Sequence, residues 1–528
     1  MENFSEPENK FDNILPENTR KTFVPQVKIS REIKLAPSRY RNEIAKYIIR
    51  RSKNDCIQCG KCENVCPYDV HVLKPGYKFF AAAQSHLCKG PACEKTDHYC
   101  VALCPQGALR MVENPMMKAL GDYRWTADMI LATWRMATTG DIPSDDFGFD
   151  YQCGNSGGGF DRLRFQFPAK PPPVALSEDD IDIGIELNRR NDGRPRIRID
   201  VPWYGGGMSF GSVSDVTQLA KVRGAAAWNT FSCTGEGGYM ERMKPYDDYM
   251  ITQVATGLFG VREETIQRVP IVEFKYAQGA KPGLGGHLLG DKNTPAVARM
   301  REAVVGIPLF SPFPFHSVYS IEDHMKHIDW IKHINRRVLV STKVSTPTDV
   351  DMVAVGSCAA GTHIIHLDGA YGGTGAAPDI AKKNIAMPIE YAIPKVHDFL
   401  TSEGVREKVT LMVSGGVRTA HDVAKAIALG ADGVVIGTAE LVALECVRCG
   451  RCESGRGCPR GIATTDTELV DKMNVEWATQ RIINLYNAWR KELIGILQRF
   501  GMRSISRLRG RTDLLIHLDF SNDNMKKT

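Results

Sequence analysis

The cysteines of this chain are not scattered. It carries fifteen in 528 residues, and twelve of them fall in three short blocks of four, at 56–66, 88–104 and 446–458. Cysteines gathered in this way hold metal rather than disulfides, which predicts a reducing, cytoplasmic compartment. The chain must therefore wrap separate stretches of backbone around metal and still bury a core. Its composition, 43% hydrophobic and 24% charged, suits a soluble globular protein of several domains and excludes disordered and collagen-like classes. No run approaches about eighteen consecutive apolar residues, and the polar start MENFSEPENKFDN has no apolar signal core. Neither a membrane span nor a secretory signal is expected. A net charge of +6 is too weak a bias at this length to argue for nucleic acid.

Cys56, Cys59, Cys62 and Cys66, followed by Pro67, give the spacing C-x2-C-x2-C-x3-C-P. Thiolates spaced like this wrap an iron–sulfur cube, with the fourth reaching a second cube. Cys88, Cys93, Cys100 and Cys104 end in the same x3-C-P with wider gaps. Structural zinc also uses C-x2-C pairs, but it does not require two blocks with this ending. The region resembles bacterial-type ferredoxins. That resemblance implies two 4Fe–4S clusters, one held by Cys56, Cys59, Cys62 and Cys104 and the other by Cys66, Cys88, Cys93 and Cys100.

The rest of the chain divides by pattern. Residues 1–51 read as a polar arm ending in a basic helical segment, APSRYRNEIAKYIIRRSK. The ferredoxin-like unit spans 52–115. A bridging segment at 116–194 is helical around RWTADMILATWRMATTG and then Gly-rich, with a break at Lys170 to Pro173. From 195 to 445, short β-branched runs alternate with helical periodicity, predicting an α/β fold with a (β/α)8 TIM barrel. The clearest predicted strands lie at 337–345, 362–369, 409–416 and 432–438, and AHDVAKAIALG reads as an amphipathic helix closed by Gly430. The third cysteine block occupies 446–465. A basic helical tail runs over 466–528 and reads as a packing helix ahead of a partner surface.

A one-electron relay joined to a barrel points to a flavin, which collects single electrons and releases them in pairs. Three Gly-rich turns suit its binding. GGGMSFGSVS (205–214) follows the predicted strand IRIDVPW, and SGGVRT (414–419) and IGTAE (436–440) follow the last two strands, where such barrels build phosphate sites from backbone N–H groups. The segments FSCTGEGG, KYAQGAKPGLGGHLLGDK, SPFPFHSVYSIED, GAYGGTGAAP and VSGGVRTAHDVAKAIALGADGVVIGTAELVALEC occur in this order over about half the chain. They resemble the FMN-binding synthase domain of glutamate synthases, most closely the compact archaeal type of large subunit with a fused two-cluster ferredoxin domain. The resemblance implies that Lys275, Gln278, Lys281 and Arg301 line a 2-oxoglutarate site and that Glu236 lies where ammonia enters. Met208, Ser209 and Gly211 would adjoin FMN, with Lys343 near the ring. Asp368, Gly372, Gly373 and Thr374 would lie near the ribityl chain and phosphate, and Gly415, Gly416, Gly437 and Thr438 would hold the phosphate itself. Leu284, His287 and Cys233 stand where the family usually has Glu, Gln and Asn.

Cys446, Cys449, Cys452 and Cys458 widen the family's three-thiolate block by one residue and add a fourth thiolate. A 4Fe–4S cluster is expected, with 3Fe–4S as the alternative. Cys153 and Cys358 match no cluster frame. Residue 2 is Glu2, not a cysteine nucleophile, and no G-x-G-x-x-G opens a βαβ unit. A separate glutaminase subunit, a possible β-helical subunit, and ferredoxin or another electron-donor subunit are therefore expected in a hetero-oligomer. The implied reaction is reductive amination of 2-oxoglutarate with ammonia to L-glutamate, by way of 2-iminoglutarate. A related enzyme making N-methylglutamate, or an electron relay without its own turnover, are the alternatives.

Overall fold

The computed structural model describes residues 23, 25–40, 44–73, 81–154, 156, 158–312, 315–374, 377–378, 380–382 and 384–519. Residues 1–22, 24 and 41–43 of the expected arm, and 520–528 of the expected tail, lie outside them. Eight parallel strands close into a barrel: β1 (Trp203–Gly205), β2 (Ser232–Cys233), β3 (Met250–Val254), β4 (Ile271–Lys275), β5 (Leu339–Ser345), β6 (Ile364–Asp368), β7 (Thr410–Ser414) and β8 (Gly433–Ile436). Neighbours follow chain order, and β8 returns to β1 with Val434 opposite Trp203 and Ile436 opposite Gly205. The predicted (β/α)8 architecture is thus present, with strands inside all four predicted windows.

Strand periodicity of two decides what the barrel encloses. On β5, Val340 and Val344 alternate with Ser341 and Lys343. Thr342, outward, meets His324 of the helix Ile321–Ile334, while Ser341 reaches Glu273 of β4. The outer helices begin at side-chain caps: Ser214, Ser320 and Thr419 each accept a first-turn N–H. The predicted helix at 420–430 forms over Ala420–Ala428 and is followed by Gly430 at φ +126.

Two local expectations are corrected. The basic segment before the first cysteine block is not a helix where it is described. Tyr47–Arg51 is a strand, paired antiparallel with Leu109–Glu113 so that the ferredoxin unit's two ends meet. Tyr and paired Ile favour a pleated surface, and only the fold supplies the partner strand. The predicted strand over 197–203 is also split. Arg198–Ile199 pairs with Ile185–Glu186 outside the barrel, and the barrel strand starts at Trp203. Pro202 between them has no N–H to give a central ladder, though its carbonyl accepts from Val434 N at 2.9 Å.

The predicted tail helix forms over Val475–Phe500 and packs rather than protrudes, burying Ile482, Tyr486, Trp489, Leu493 and Leu497. Trp489 and Tyr486 meet Trp203 edge-on at 5.7 and 5.5 Å between ring centroids. Gly224 on the helix Asp215–Ala227 admits Ile482, since a Cβ there would stand 2.5 Å from Ile482 Cγ2. No helix among the described residues is long and apolar enough to cross a membrane. Trp489→Ala should remove about 3–5 kcal/mol of stability, read as a lower guanidinium midpoint. A loss below about 1 kcal/mol would show that the tail helix is not part of the barrel's core.

Candidate active site and metal centres

In the ferredoxin unit the thiols gather in two neighbouring groups. Cys56, Cys59, Cys62 and Cys104 line one cavity with Arg51 and Leu109. Cys100 lies among Cys88, Cys66, Cys62 and Cys93; burial, then these neighbours, push its thiol up to about 12. A metal that binds such a sulfur displaces its proton. Among the described residues, no three His, Cys, Asp or Glu meet at the spacing of a single metal ion. Donors are turned toward sulfur: Ala108 N lies 3.3 Å from Cys104 Sγ, Gly90 N 3.4 Å from Cys88 Sγ, and Arg51 Nη2 3.5 Å from Cys62 Sγ. Soft thiols with N–H groups aimed at them fit iron–sulfur clusters, whose potentials such donors raise. Arg51 also meets buried His71 at 2.9 Å.

The third cysteine loop is fastened from three sides. Buried Glu445, just before it, accepts from Ser38 Oγ at 2.6 Å, from Arg39 N and Nε at 2.9 and 3.0 Å, and from Arg460. Arg448 pairs with Asp122 at 2.7 Å, and buried Lys292 donates to Cys452 O at 2.7 Å and Glu453 at 3.2 Å. Cys446 and Cys452 are each raised first by burial, then by neighbouring thiolates: Cys452 and Cys458 act on Cys446, and Cys458 and Cys449 on Cys452. Cys449, the exposed member of the block, lies close enough to act on Cys452.

Inside the barrel, at the C-terminal ends of the strands, runs a buried polar network. Lys343 on β5 faces Asp368 on β6 at 3.3 Å. Asp368 accepts from Ser414 Oγ on β7 at 2.6 Å and Gly279 N at 3.1 Å. Ser414 also contacts His366 Nε2 at 2.8 Å, and His366 Nδ1 meets Glu273 on β4 at 3.0 Å. Gln253 and Ser341 complete the shell of Glu273 at 2.8 and 3.0 Å. Burial would neutralise Glu273, but His366 and Lys343 outweigh it and lower its pKa to about 2. Burial likewise depresses Lys343, yet Asp368 and Glu273 hold it above its usual value. A cation is thereby kept charged in the buried interior.

Above this network lie the Gly-rich loops. Gly415 and Gly416 have φ of +92° and +128°, and a Cβ at Gly415 would strike the Gly369 backbone. The backbone N–H groups of Gly415, Gly416 and Gly437 have no partner among the described residues. Gly373 packs so closely on Thr438 that a Cβ would clash with its hydroxyl, Gly372 lies over Ala280 and Asp368, and Gly437 faces Met208 Cε. These loops form a cradle with free N–H groups, which fits a phosphate. Gly211 lies elsewhere, against Leu288 and Val297.

The residues expected to meet substrate do converge, and most are already paired. Lys275 Nζ lies 3.0 Å from Glu236 Oε1. Arg301 donates to Ser209 Oγ at 2.9 Å and Phe210 O at 3.0 Å. Burial raises the Glu236 carboxyl, but Lys275 and Arg301 outweigh it. Lys281 is 4% exposed and makes no ion pair among the described residues. Burial, then the charge of Lys275, lowers its pKa to about 8 against Glu236 and Glu453. Half-buried Gln278 contributes its carbonyl to Lys281 N at 3.3 Å. His287 stands beside Lys281 with its pKa lowered first by burial and then by that lysine, while Leu284 is exposed. Sequence reasoning missed Arg51, Asp122, Glu273, Lys292 and His366; only the hydrophobic spacing around Glu273 and His366 hinted that they point inward.

The conserved region of glutamate synthases matches residues 174–503, and a 4Fe-4S binding domain matches 49–70. An archaeal-type glutamate synthase (NADPH) of Thermotoga maritima is 35% identical over 489 residues, covering 89% of this chain and 94% of that one. An archaeal glutamate synthase (NADPH) of Archaeoglobus fulgidus is 34% identical over 508 residues, with coverage of 89% and 94%. The glutamate synthase (NADPH) large chain of Azospirillum brasilense is 37% identical over 315 residues, 58% of this chain and 21% of that one.

If Cys446, Cys449, Cys452 and Cys458 share one cube, oxidised protein prepared anaerobically should show no strong three-iron signal in low-temperature electron paramagnetic resonance, and Cys449→Ser should create one. A strong signal in the unmutated protein would overturn the four-thiolate set.

Proposed function

The chain belongs to the glutamate synthase family and is an oxidoreductase, and from that premise we propose that it reductively aminates 2-oxoglutarate with ammonia, using FMN and three 4Fe–4S clusters. The observation that carries this reading is Lys281, a buried lysine at the mouth of the barrel that makes no ion pair among the described residues. A buried cation is stable where an anion completes it, and a dicarboxylate does so. Lys275, Gln278 and Arg301 would complete the acid-binding wall.

Gly415, Gly416, Gly437 and Thr438 would hold the FMN phosphate, Gly372, Gly373, Thr374 and Asp368 its chain, and Met208, Ser209 and Lys343 its ring. When bound, FMN would take electrons singly from the clusters and supply them in pairs to the carbon that becomes the amino-acid centre. The protein's own part is electrostatic. Lys343, kept charged by Asp368 and Glu273, would stabilise negative charge on the ring. Glu236, ionised against Lys275, would orient ammonia and hold a proton while the imine forms at the keto carbon. Lys281 would fix a substrate carboxylate beside the third cysteine loop.

The electron donor sits on a partner in this reading. Cys59 is exposed, so the set with Cys56, Cys62 and Cys104 lies at the surface, where a donor can approach. The names of the archaeal-type relatives specify NADPH; here a separate NADPH-oxidising subunit or a reduced ferredoxin would deliver the electrons. Ammonia would come from a separate glutaminase.

Lys281→Ala should lower kcat/KM for 2-oxoglutarate by about 100-fold, the loss of one charge-assisted contact, with the flavin absorbance unchanged. Persistent glutamate formation at the original KM would displace the substrate assignment. The pH dependence has a definite sign. Lys281 is protonated below about pH 8, and the dianion binds the protonated form. The KM for 2-oxoglutarate should be flat below that pH and rise about tenfold per unit above it. In Lys281→Ala the rise should be absent.

A further inference from the structure

Arg124 lies outside the barrel, at the start of the bridging segment, and has no role in the site as described so far. It is 6% exposed. Its guanidinium stacks over the Tyr371 ring at 3.8 Å, on the loop after β6. It also lies against two glycine loops. A Cβ at Gly416 would stand 3.1 Å from Nη2, and one at Gly159 would stand 2.7 Å from both terminal nitrogens. Nη1 donates to Ser156 Oγ at 3.0 Å and Gly158 O at 3.2 Å. Nη2 is buried and has no partner among the described residues.

The acids around it do not neutralise it. Asp161 is taken by Arg418 at 2.9 and 2.6 Å, and Asp422 by Arg418 at 2.9 Å. Glu390 is raised by burial, carries an unpartnered oxygen of its own and forms no ion pair with Arg124. The second arginine, Arg418, adds repulsion, and burial with that repulsion depresses the Arg124 pKa. A planar donor fork with one free nitrogen therefore lies against Gly416, next to the unpartnered N–H groups of Gly415 and Gly416. A guanidinium beside backbone N–H groups that have no partner among the described residues is a donor set that suits a phosphate monoester.

A single carboxylate sets this geometry. Asp122 Oδ1 accepts the N–H groups of Arg124 and Trp125, both at 2.9 Å, while its Oδ2 takes Arg448 at 2.7 Å. Arg448 Nη1 in turn lies 3.4 Å from where a Cβ of Gly373 would be.

We infer that Arg124 is a ligand of the flavin's phosphate group, contributed by the bridging segment rather than by the barrel. The inference rests on the FMN reading above and makes cofactor retention depend on the segment that joins the ferredoxin unit to the barrel. Asp122 is then the positioning residue that links this ligand to the third cysteine loop.

The test is differential. Full-length protein, stripped of flavin anaerobically, is titrated with FMN and with riboflavin, which lacks the phosphate. The unmutated chain should prefer FMN. Arg124→Gln should weaken FMN binding by roughly 10- to 100-fold and leave riboflavin within about twofold. Arg124→Lys should fall between, because it keeps the charge and loses the fork. An unchanged FMN-to-riboflavin ratio in the variants, or an equal loss of both ligands, overturns the inference; should Arg124→Gln not fold, the same ratio in Arg124→Lys decides. An unmutated chain with no preference for FMN overturns the flavin reading and this inference together, whereas a preference that survives both substitutions removes this inference alone.

Discussion

Closing eight parallel strands on one another buries the side chains inside the barrel, so every charge there must be answered by another charge or a hydrogen bond. The Lys343–Asp368 pair and the His366–Glu273 pair meet that condition through Ser414, which touches both Asp368 and His366. Each contact joins side chains from different strands, so the network exists only when β4, β5, β6 and β7 are in register. The register places Lys343 between Lys275 and His366. One network thus reports the fold and prepares the site, because the charge it preserves on Lys343 is available to a ligand only in the closed barrel.

The same physics fastens the outer pieces. Glu445 and Asp122 are carboxylates drawn into the protein and surrounded by donors from distant segments. Glu445 collects the arm residues Ser38 and Arg39 together with Arg460, and Asp122 joins the bridging segment to Arg448. A carboxylate satisfied this way stays ionised and costs much to unpair. Between them, the two acids hold the third cysteine loop, which has almost no regular structure of its own, against the barrel.

How much of this was legible in the sequence depends on whether a feature is local. The glycine loops at 205–214, 414–419 and 436–440, the strand windows and the cysteine spacings were readable because each is fixed by neighbours in the chain. The helix Ala127–Thr139 and the tail helix Val475–Phe500 showed their periodicity directly. The strand Tyr47–Arg51 was not legible, since its partner lies about sixty residues away and overrides a basic, helix-like composition. The break at Pro202 was written in the chain but outweighed by the β-branched run around it. Among site residues, Lys275, Lys281, Glu236 and Arg301 were recognisable from motifs. Their mutual pairing was not, because Lys275 to Glu236 and Arg301 to Ser209 are contacts across the barrel mouth. Arg124 carried no signal, as a lone arginine before a helix has no distinguishing pattern.

The pairing of charges then separates residues that build the site from residues that await something. Lys343, Lys275, Lys292 and Arg418 are buried cations with acidic partners at 2.6–3.3 Å, so each is held charged before any ligand arrives. Among the described residues, buried Lys281 makes no ion pair and buried Nη2 of Arg124 makes no hydrogen bond. Evolved interiors rarely leave a cation in that condition, because the cost of burying it is recovered only by an anion. One of the two stands on the loop after β4 beside the third cysteine loop, the other beside the loop after β7. A molecule satisfying both must carry negative charge toward each place, and two ligands, an acidic substrate at the first and a phosphorylated cofactor at the second, do so with the polar network of Lys343 lying between the strands that bear those loops.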